Sequence, residues 1–261
     1  MAPSDFFKVT GLSCAFGKKV VLRDISFSLA AGSLTGLLGA NGSGKSSLLK
    51  TLCGFCGSAE VSLDGQRLNL KKRRPLARKI SYIPQRSGVA LALPVTEVVA
   101  MGLNPRLSLL ERPGAAHRHA VESALKALGL WETRDQNFLT LSEGQKQLVI
   151  LARTLVQDTP VMLLDEPDSA LDFNNRRLLL KQISALSLQQ DKAALLCSHD
   201  PALALEFCHR LLLLKDGQIL ADLNPAADSE AALGAALSQI YGPLTVFRHR
   251  GRLFIYKEEN L

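Results

Sequence analysis

Residues 39–46 read Gly-Ala-Asn-Gly-Ser-Gly-Lys-Ser, the pattern G-x-x-x-x-G-K-[ST] without a mismatch. The glycines let the backbone wrap until successive N–H groups point into one concavity. A helix starting just behind adds about half a positive charge beneath an anion. Such a loop needs a strand in front of it and a helix after it. Leu34–Leu38 (LTGLL) is a short apolar run suited to a buried strand, and Ser47–Leu52 (SLLKTL) has helical character. The loop Gly39, Ala40, Asn41, Gly42, Ser43, Gly44, with Lys45, Ser46 and Ser47, is therefore the expected phosphate cradle. Lys45 reaches the outer phosphates, and the Ser46 hydroxyl is a ligand for Mg²⁺.

A magnesium site next to such a loop requires a carboxylate, and Val161-Met-Leu-Leu-Asp165-Glu166 ends an apolar run with two. A buried parallel strand reads as a continuous hydrophobic segment with its ligands at the carboxyl end. Asp165 is expected to hold Mg²⁺ through water. Glu166, one residue on, is expected near the γ-phosphate as the general base that polarises the attacking water.

At 261 residues the chain suits one domain with a substantial insertion. Hydrophobic residues at 47% and charged residues at 21% indicate a folded chain with a core. No apolar run reaches the roughly 18 to 20 residues that span a bilayer, and MAPSDFFKV lacks the regions of a signal peptide, so a cytosolic location is expected. The five cysteines are an odd number in apolar surroundings, as reduced thiols would be. Cys53-Gly-Phe-Cys56 has redox or metal spacing, but no second pair follows it, which favours core packing. The net charge of +7 peaks at Lys71-Lys72-Arg73-Arg74, with Arg78 and Lys79 nearby. That cluster reads first as a solvated helix face and second as a contact for anionic lipid headgroups. Nucleic acid is not expected, because aromatics are only 5% and none interleave with the basic run.

With these residues placed, the chain resembles the nucleotide-binding subunits of ABC transporters along nearly its whole length. Gly39–Ser46 match Walker A, and Gln85 in Tyr82-Ile-Pro-Gln85 matches the Q-loop. Leu141, Ser142, Glu143, Gly144 and Gln145 match the signature, and Asp165-Glu166 the Walker B end. Ser169, Ala170, Leu171 and Asp172 match the D-loop, His199 the switch histidine, and Phe16 the adenine-stacking aromatic.

The resemblance implies an α/β fold: a P-loop NTPase of ABC type with a RecA-like core, a small antiparallel β-subdomain and a helical insert. Its implied division is residues 1–85 and 160–222 as ATPase core with the antiparallel part, 86–159 as helical subdomain, and 223–261 as a short C-terminal extension. It further implies an ATPase that uses ATP and Mg, with Gln85 helping to ligate the metal and His199 bonding the γ-phosphate. Two copies are implied to pair head to tail as a homodimer, each ATP lying between Walker A of one and the signature of the other. Transmembrane permease subunits, an external substrate-binding protein, and a place on the cytoplasmic face of the inner membrane complete the implied assembly.

Two departures stand out: Glu143 where a Gly is usual, which either points to solvent or weakens closure, and Asp168 where Ser or Thr is commoner. Arg73–Arg78, Met101–Arg106, Leu171–Asn175 and the tail Ile240–Phe247 are similar to the ATPases of importers for iron-siderophores, haem and cobalamin. The alternative is a soluble ABC ATPase serving cofactor assembly or DNA maintenance. A DNA-repair member would carry a long coiled coil where no sustained heptads occur. A non-catalytic regulator would lack Lys45 or Glu166, and both are present.

Overall fold

The computed structural model describes residues 5–85, 88–108, 111, 114–169 and 171–257. The chain opens with strands β1 (Phe7–Phe16) and β2 (Lys19–Leu29), paired antiparallel, and continues through β3 (Ser33–Leu38) into helix α1 (Lys45–Leu52). Then come β4 (Ser58–Leu63), β5 (Gln66–Leu68), the short helix α2 (Arg73–Ala77) and β6 (Ile80–Ile83). A helical stretch follows: α3 (Val95–Ala100), α4 (Ala115–Ala127) and α5 (Glu143–Gln157). Strands and helices then alternate as β7 (Val161–Asp165), α6 (Phe173–Gln189), β8 (Ala193–Ser198), α7 (Pro201–Phe207) and β9 (Arg210–Lys215). The chain ends with β10 (Gln218–Leu223), α8 (Glu230–Tyr241), β11 (Leu244–His249) and β12 (Arg252–Lys257).

The central sheet has six strands in the order β10-β9-β3-β8-β7-β6. From β9 to β6 every pair is parallel, and β10 is the antiparallel edge. Strands covered on both faces cannot alternate apolar with polar, and β7 and β8 are buried at every position. Val161 and Leu163 face one core with Leu48, Leu49 and Leu52 of α1 and the β1–β2 side chains. Met162 and Leu164 face the other core, shared with α3 to α8. The second sheet, β2-β1-β4-β5, is antiparallel throughout.

Local sequence sets the helix ends. α5 starts at Ser142, whose Oγ accepts from the Gln145 N–H at 3.2 Å while Gln145 Oε1 accepts from the Ser142 N–H at 3.0 Å, a reciprocal capping box. At α6 and α7 the cap runs one way: the Asp172 carboxylate accepts from the Asn175 N–H, and that of Asp200 from the Leu203 N–H. Helix α4 begins at Ala115, after the Gly114 cap.

The basic cluster is not a purely solvated face. Arg74 donates to the Leu107 carbonyl, and Arg78 Nε donates to the Pro105 carbonyl at 2.7 Å. Two of its guanidiniums thus tie α2 to the loop after α3, because main-chain oxygens there need donors. Lys71, Lys72 and Arg73 remain exposed.

Candidate active site

Functional groups gather where parallel strands end. The carboxyl ends of β3, β8, β7 and β6 lie side by side, delivering the phosphate loop, His199, Asp165–Glu166 and Gln85 respectively. Register keeps them level: Asp165 pairs with Cys197, and Leu38 pairs with Ser198. Crevices outside carboxyl strand ends are where open α/β sheets bind ligands. Here the crevice is a cavity of about 550 Å³, walled by Asn41, Gly42 and Gly44–Ser47 with Gln85, Glu166, Ser169 and His199.

The loop wraps as its glycines require. Gly44 has φ 107°, and a Cβ there would meet Leu22 Cδ2 at 2.7 Å. A Cβ on Gly39 would meet the Leu214 carbonyl oxygen at 2.5 Å. Both positions therefore demand a residue without a side chain. Lys45, only 5% exposed, donates to the Gly39 carbonyl at 2.9 Å and to that of Ala40 at 3.3 Å, and lies 3.5 Å from Glu166 Oε1. Its ammonium is thereby poised at the floor of the cavity.

Asp165 is 4% exposed, and both its oxygens are used. Oδ1 accepts from Ser46 Oγ at 2.9 Å, and Oδ2 accepts from the Tyr82 hydroxyl at 3.0 Å. Burial, then the Asp165 charge, push the Tyr82 phenol far up, so it stays a donor. Tyr82 went unnoticed in the sequence, where a tyrosine in a strand is ordinary. Its part depends on the parallel β6–β7 pairing of Tyr82 with Leu163. Glu166 Oε2 accepts from Gln85 Nε2 at 3.1 Å and sits 3.7 Å from His199 Nδ1. Glu166 has φ 47°, in the left-handed region. A non-glycine residue held there costs on the order of 1–3 kcal/mol, the kind of strain that gathers at functional sites.

Other expected residues lie apart from this cavity. Phe16, at 54% exposure, is not core and stands at the end of β1 outside the cavity wall. Leu141–Gln145 do not reach the cavity; Ser142 faces outward as the cap of α5. Glu143 is 59% exposed and bonds Lys146 at 2.8 Å, so its carboxylate points to solvent. Gly144 has room for a Cβ, the nearest atom being Leu171 Cδ2 at 3.6 Å, so nothing within this chain demands glycine there. Ser169 lines the cavity, Leu171 is buried, Asp172 caps α6, and Ala170 lies outside the described residues. Asp168 is 2% exposed, and burial raises its pKa against the pull of Arg176 and His199.

Among the described residues no cluster of three His, Cys, Asp or Glu could hold a metal. Cys53 closes α1, and Cys56 lies 3.5 Å from Thr51 Oγ1; burial lifts the Cys53 thiol to about 12, far from a thiolate. Structural packing accounts for that C-x-x-C.

This geometry has known counterparts. The family model described as ABC transporter matches residues 22–169. A protein of Helicobacter pylori strain 26695 named a probable iron chelatin transport ATP-binding protein is 35% identical over 95% of this chain and 98% of its own. The chain belongs to the ABC transporter family. The hemin import ATP-binding protein HmuV of Pseudomonas putida KT2440 is 37% identical over 90% of this ABC subunit and 92% of its own length. The ferric enterobactin transport ATP-binding protein FepC of Escherichia coli K12 is 32% identical over 88% and 85%. A metal-chelate type ABC transporter solved in an inward-facing conformation superposes with a TM-score of 0.80, covering 96% of this chain and 95% of that one. At 23% identity it speaks for the fold alone. As an ABC ATP-binding subunit, the chain binds and hydrolyses ATP. Among the described residues no helix is long and apolar enough to cross a membrane, as suits a peripheral subunit of a membrane-associated transporter.

Proposed function

We propose that this chain is the energy-coupling ATPase of an importer for an iron chelate, a ferric siderophore or haem. It would work as a head-to-tail homodimer beneath two membrane permease subunits, on the cytoplasmic face of the inner membrane, fed by an external binding protein. The observation that carries the cargo class is the near full-length identity, 32–37%, with the iron chelatin, hemin and ferric enterobactin ATP-binding proteins.

Within the cavity, Lys45 and the loop N–H groups bind the outer phosphates of ATP. The donor set beside them is hard oxygen: Ser46 Oγ and the Asp165 carboxylate 2.9 Å apart. That suits Mg²⁺, which takes one or two protein oxygens and completes its shell with water and phosphate. The metal would neutralise phosphate charge. Glu166 holds the position of a general base, with Gln85 and His199 orienting its carboxylate.

The head-to-tail dimer is supported by a mismatch within one chain. A capped, solvent-facing N-terminus on the 15-residue α5 carries a glycine that its own fold does not require, away from the cavity that holds Lys45. A second copy placing that terminus against the γ-phosphate would explain both facts. Affinity purification of the native chain from membranes, with identification of the co-purifying proteins, tests the reading. Permease subunits and loss of iron-chelate or haem uptake on deleting this chain are expected. A chain that purifies alone and leaves uptake intact would point to the soluble ATPase instead.

A further inference from the structure

Tyr82, Asp165 and Ser46 meet beneath helix α1. Tyr82 lies on β6 in register with Leu163 of β7. Side chains two residues apart on a strand share a face, so Asp165 projects on the same side of the sheet as Leu163. That side is the one covered by Leu48, Leu49 and Leu52 of α1, the helix that Lys45 and Ser46 open. The Tyr82 ring packs against this core, half-buried, and its hydroxyl reaches on to the strand end.

An aspartate fixed at the end of a strand can still turn its carboxylate, because the last torsion has broad minima. Here one hydroxyl holds each oxygen: Ser46 Oγ donates to Oδ1 at 2.9 Å, and Tyr82 donates to Oδ2 at 3.0 Å. The two donors are not equivalent. Ser46 lines the cavity and its oxygen is itself a proposed ligand of Mg²⁺, so its hydroxyl must serve the metal as well as the carboxylate. Tyr82 stands outside the cavity wall and serves the carboxylate alone. Phenylalanine would fill the same apolar space, so packing does not call for the hydroxyl.

We propose that Tyr82 is a positioning residue for the metal: its phenol pins Asp165 Oδ2 and so leaves Oδ1 turned toward Ser46 and the ion the two would share. Tyr82 touches neither nucleotide nor metal; it acts through the orientation of one carboxylate. Outer partners of this kind change metal affinity by about 10- to 100-fold when removed. This inference rests on the reading of Ser46 and Asp165 as the Mg²⁺ site.

The test uses Mn²⁺ as a paramagnetic substitute for Mg²⁺. The ion is titrated into the full chain carrying one equivalent of the non-hydrolysable analogue AMP-PNP, and the free ion is followed by EPR. AMP-PNP binding in EDTA is measured by calorimetry. Tyr82→Phe is expected to weaken Mn²⁺ binding at least ten-fold while leaving metal-free AMP-PNP affinity within two-fold. The Mg²⁺ concentration that half-saturates hydrolysis should rise by the same factor as the Mn²⁺ Kd. In an Asp165→Ala background the Tyr82 change should cost nothing further, since no carboxylate remains to be held. Mn²⁺ affinity within two-fold of the unaltered chain would overturn the proposal, even with a lower Tm, because the phenol would then only compensate a buried charge. A loss that persists in the Asp165→Ala background, or that appears equally in metal-free AMP-PNP binding, would overturn it too. Asp165→Ala binding Mn²⁺ as well as the unaltered chain would instead strike the metal-site reading.

Discussion

At Glu166 three groups meet one carboxylate. Lys45 lies on Oε1, while Gln85 and His199 lie on Oε2. The backbone there is left-handed, a conformation the surrounding strand ends must impose. Glu166→Gln keeps the shape and the reach but removes the charge and the basicity. General-base assistance contributes about 10²- to 10⁴-fold, so kcat should fall by that order. MgATP affinity should hold or improve, because a carboxylate facing the γ-phosphate repels it. Single-turnover hydrolysis alongside equilibrium binding separates the two effects. A variant that turns over within a few-fold of the unaltered chain would remove Glu166 from the role of base. The same residue shows why an apolar run followed by two acids was readable: a fully buried strand meets a crevice only at its end, where Asp165 closes β7 and Glu166 lines the cavity.

Helix α5 is fastened at its far end by charge. Its C-cap Asp158 adopts φ 49° and accepts from Lys192 Nζ at 2.8 Å and from Arg106 Nη2 at 2.9 Å. Arg106 follows α3 and Lys192 precedes β8, so one carboxylate joins the helical part to the central sheet. The Arg106 pair is solvent-exposed and adds little. Lys192 is 6% exposed, and its other partner is the Thr159 carbonyl. Asp158→Asn tolerates the left-handed backbone but leaves that ammonium without a counter-charge, a loss of about 1–3 kcal/mol. The Lys192 hydrogen bond, opposed by burial and aided by Arg106, holds the Asp158 pKa below the ordinary carboxylate value. A depressed folded pKa adds stability above the unfolded value, about 3.9, and loses it as pH falls through the folded value. Urea unfolding should therefore show the variant weaker at neutral pH and the difference closing in strong acid; a difference independent of pH would refute the ion-pair account. None of this was legible in the sequence, nor were the Arg74 and Arg78 ties, because each partner is distant in the chain. The strands β7 and β8, by contrast, announced themselves as apolar runs, and β3 did so around Thr35 and Gly36.

For the whole molecule, the phosphate loop and the α5 N-terminus, the two features proposed to face phosphate, do not meet within one chain. The loop of Gly39–Ser46 opens into a cavity of its own, and the N-terminus of α5 opens outward. Local pattern could reveal each feature, but not their separation, which follows from how the helical stretch is set against the sheet. Their separation makes association measurable. In the Glu166→Gln background, where hydrolysis is slowed, MgATP should convert the chain from monomer to dimer on size exclusion with light scattering. Adding Ser142→Arg should abolish that dimer, because a bulky side chain would stand where the partner's γ-phosphate must approach the α5 N–H groups. Replacing Ser142 also removes the cap of α5, at a cost of about 1 kcal/mol, so a drop in Tm by itself decides nothing. Glu166→Gln with Ser142→Ala loses the same cap without the bulk, and it should still dimerise, more weakly. If the arginine variant assembles as readily as the alanine one, the α5 terminus does not face nucleotide, and the head-to-tail arrangement is wrong. If it stays monomeric yet binds one MgATP per chain with the affinity of the parent, the loop is sufficient for capture and the second copy is what closes the site.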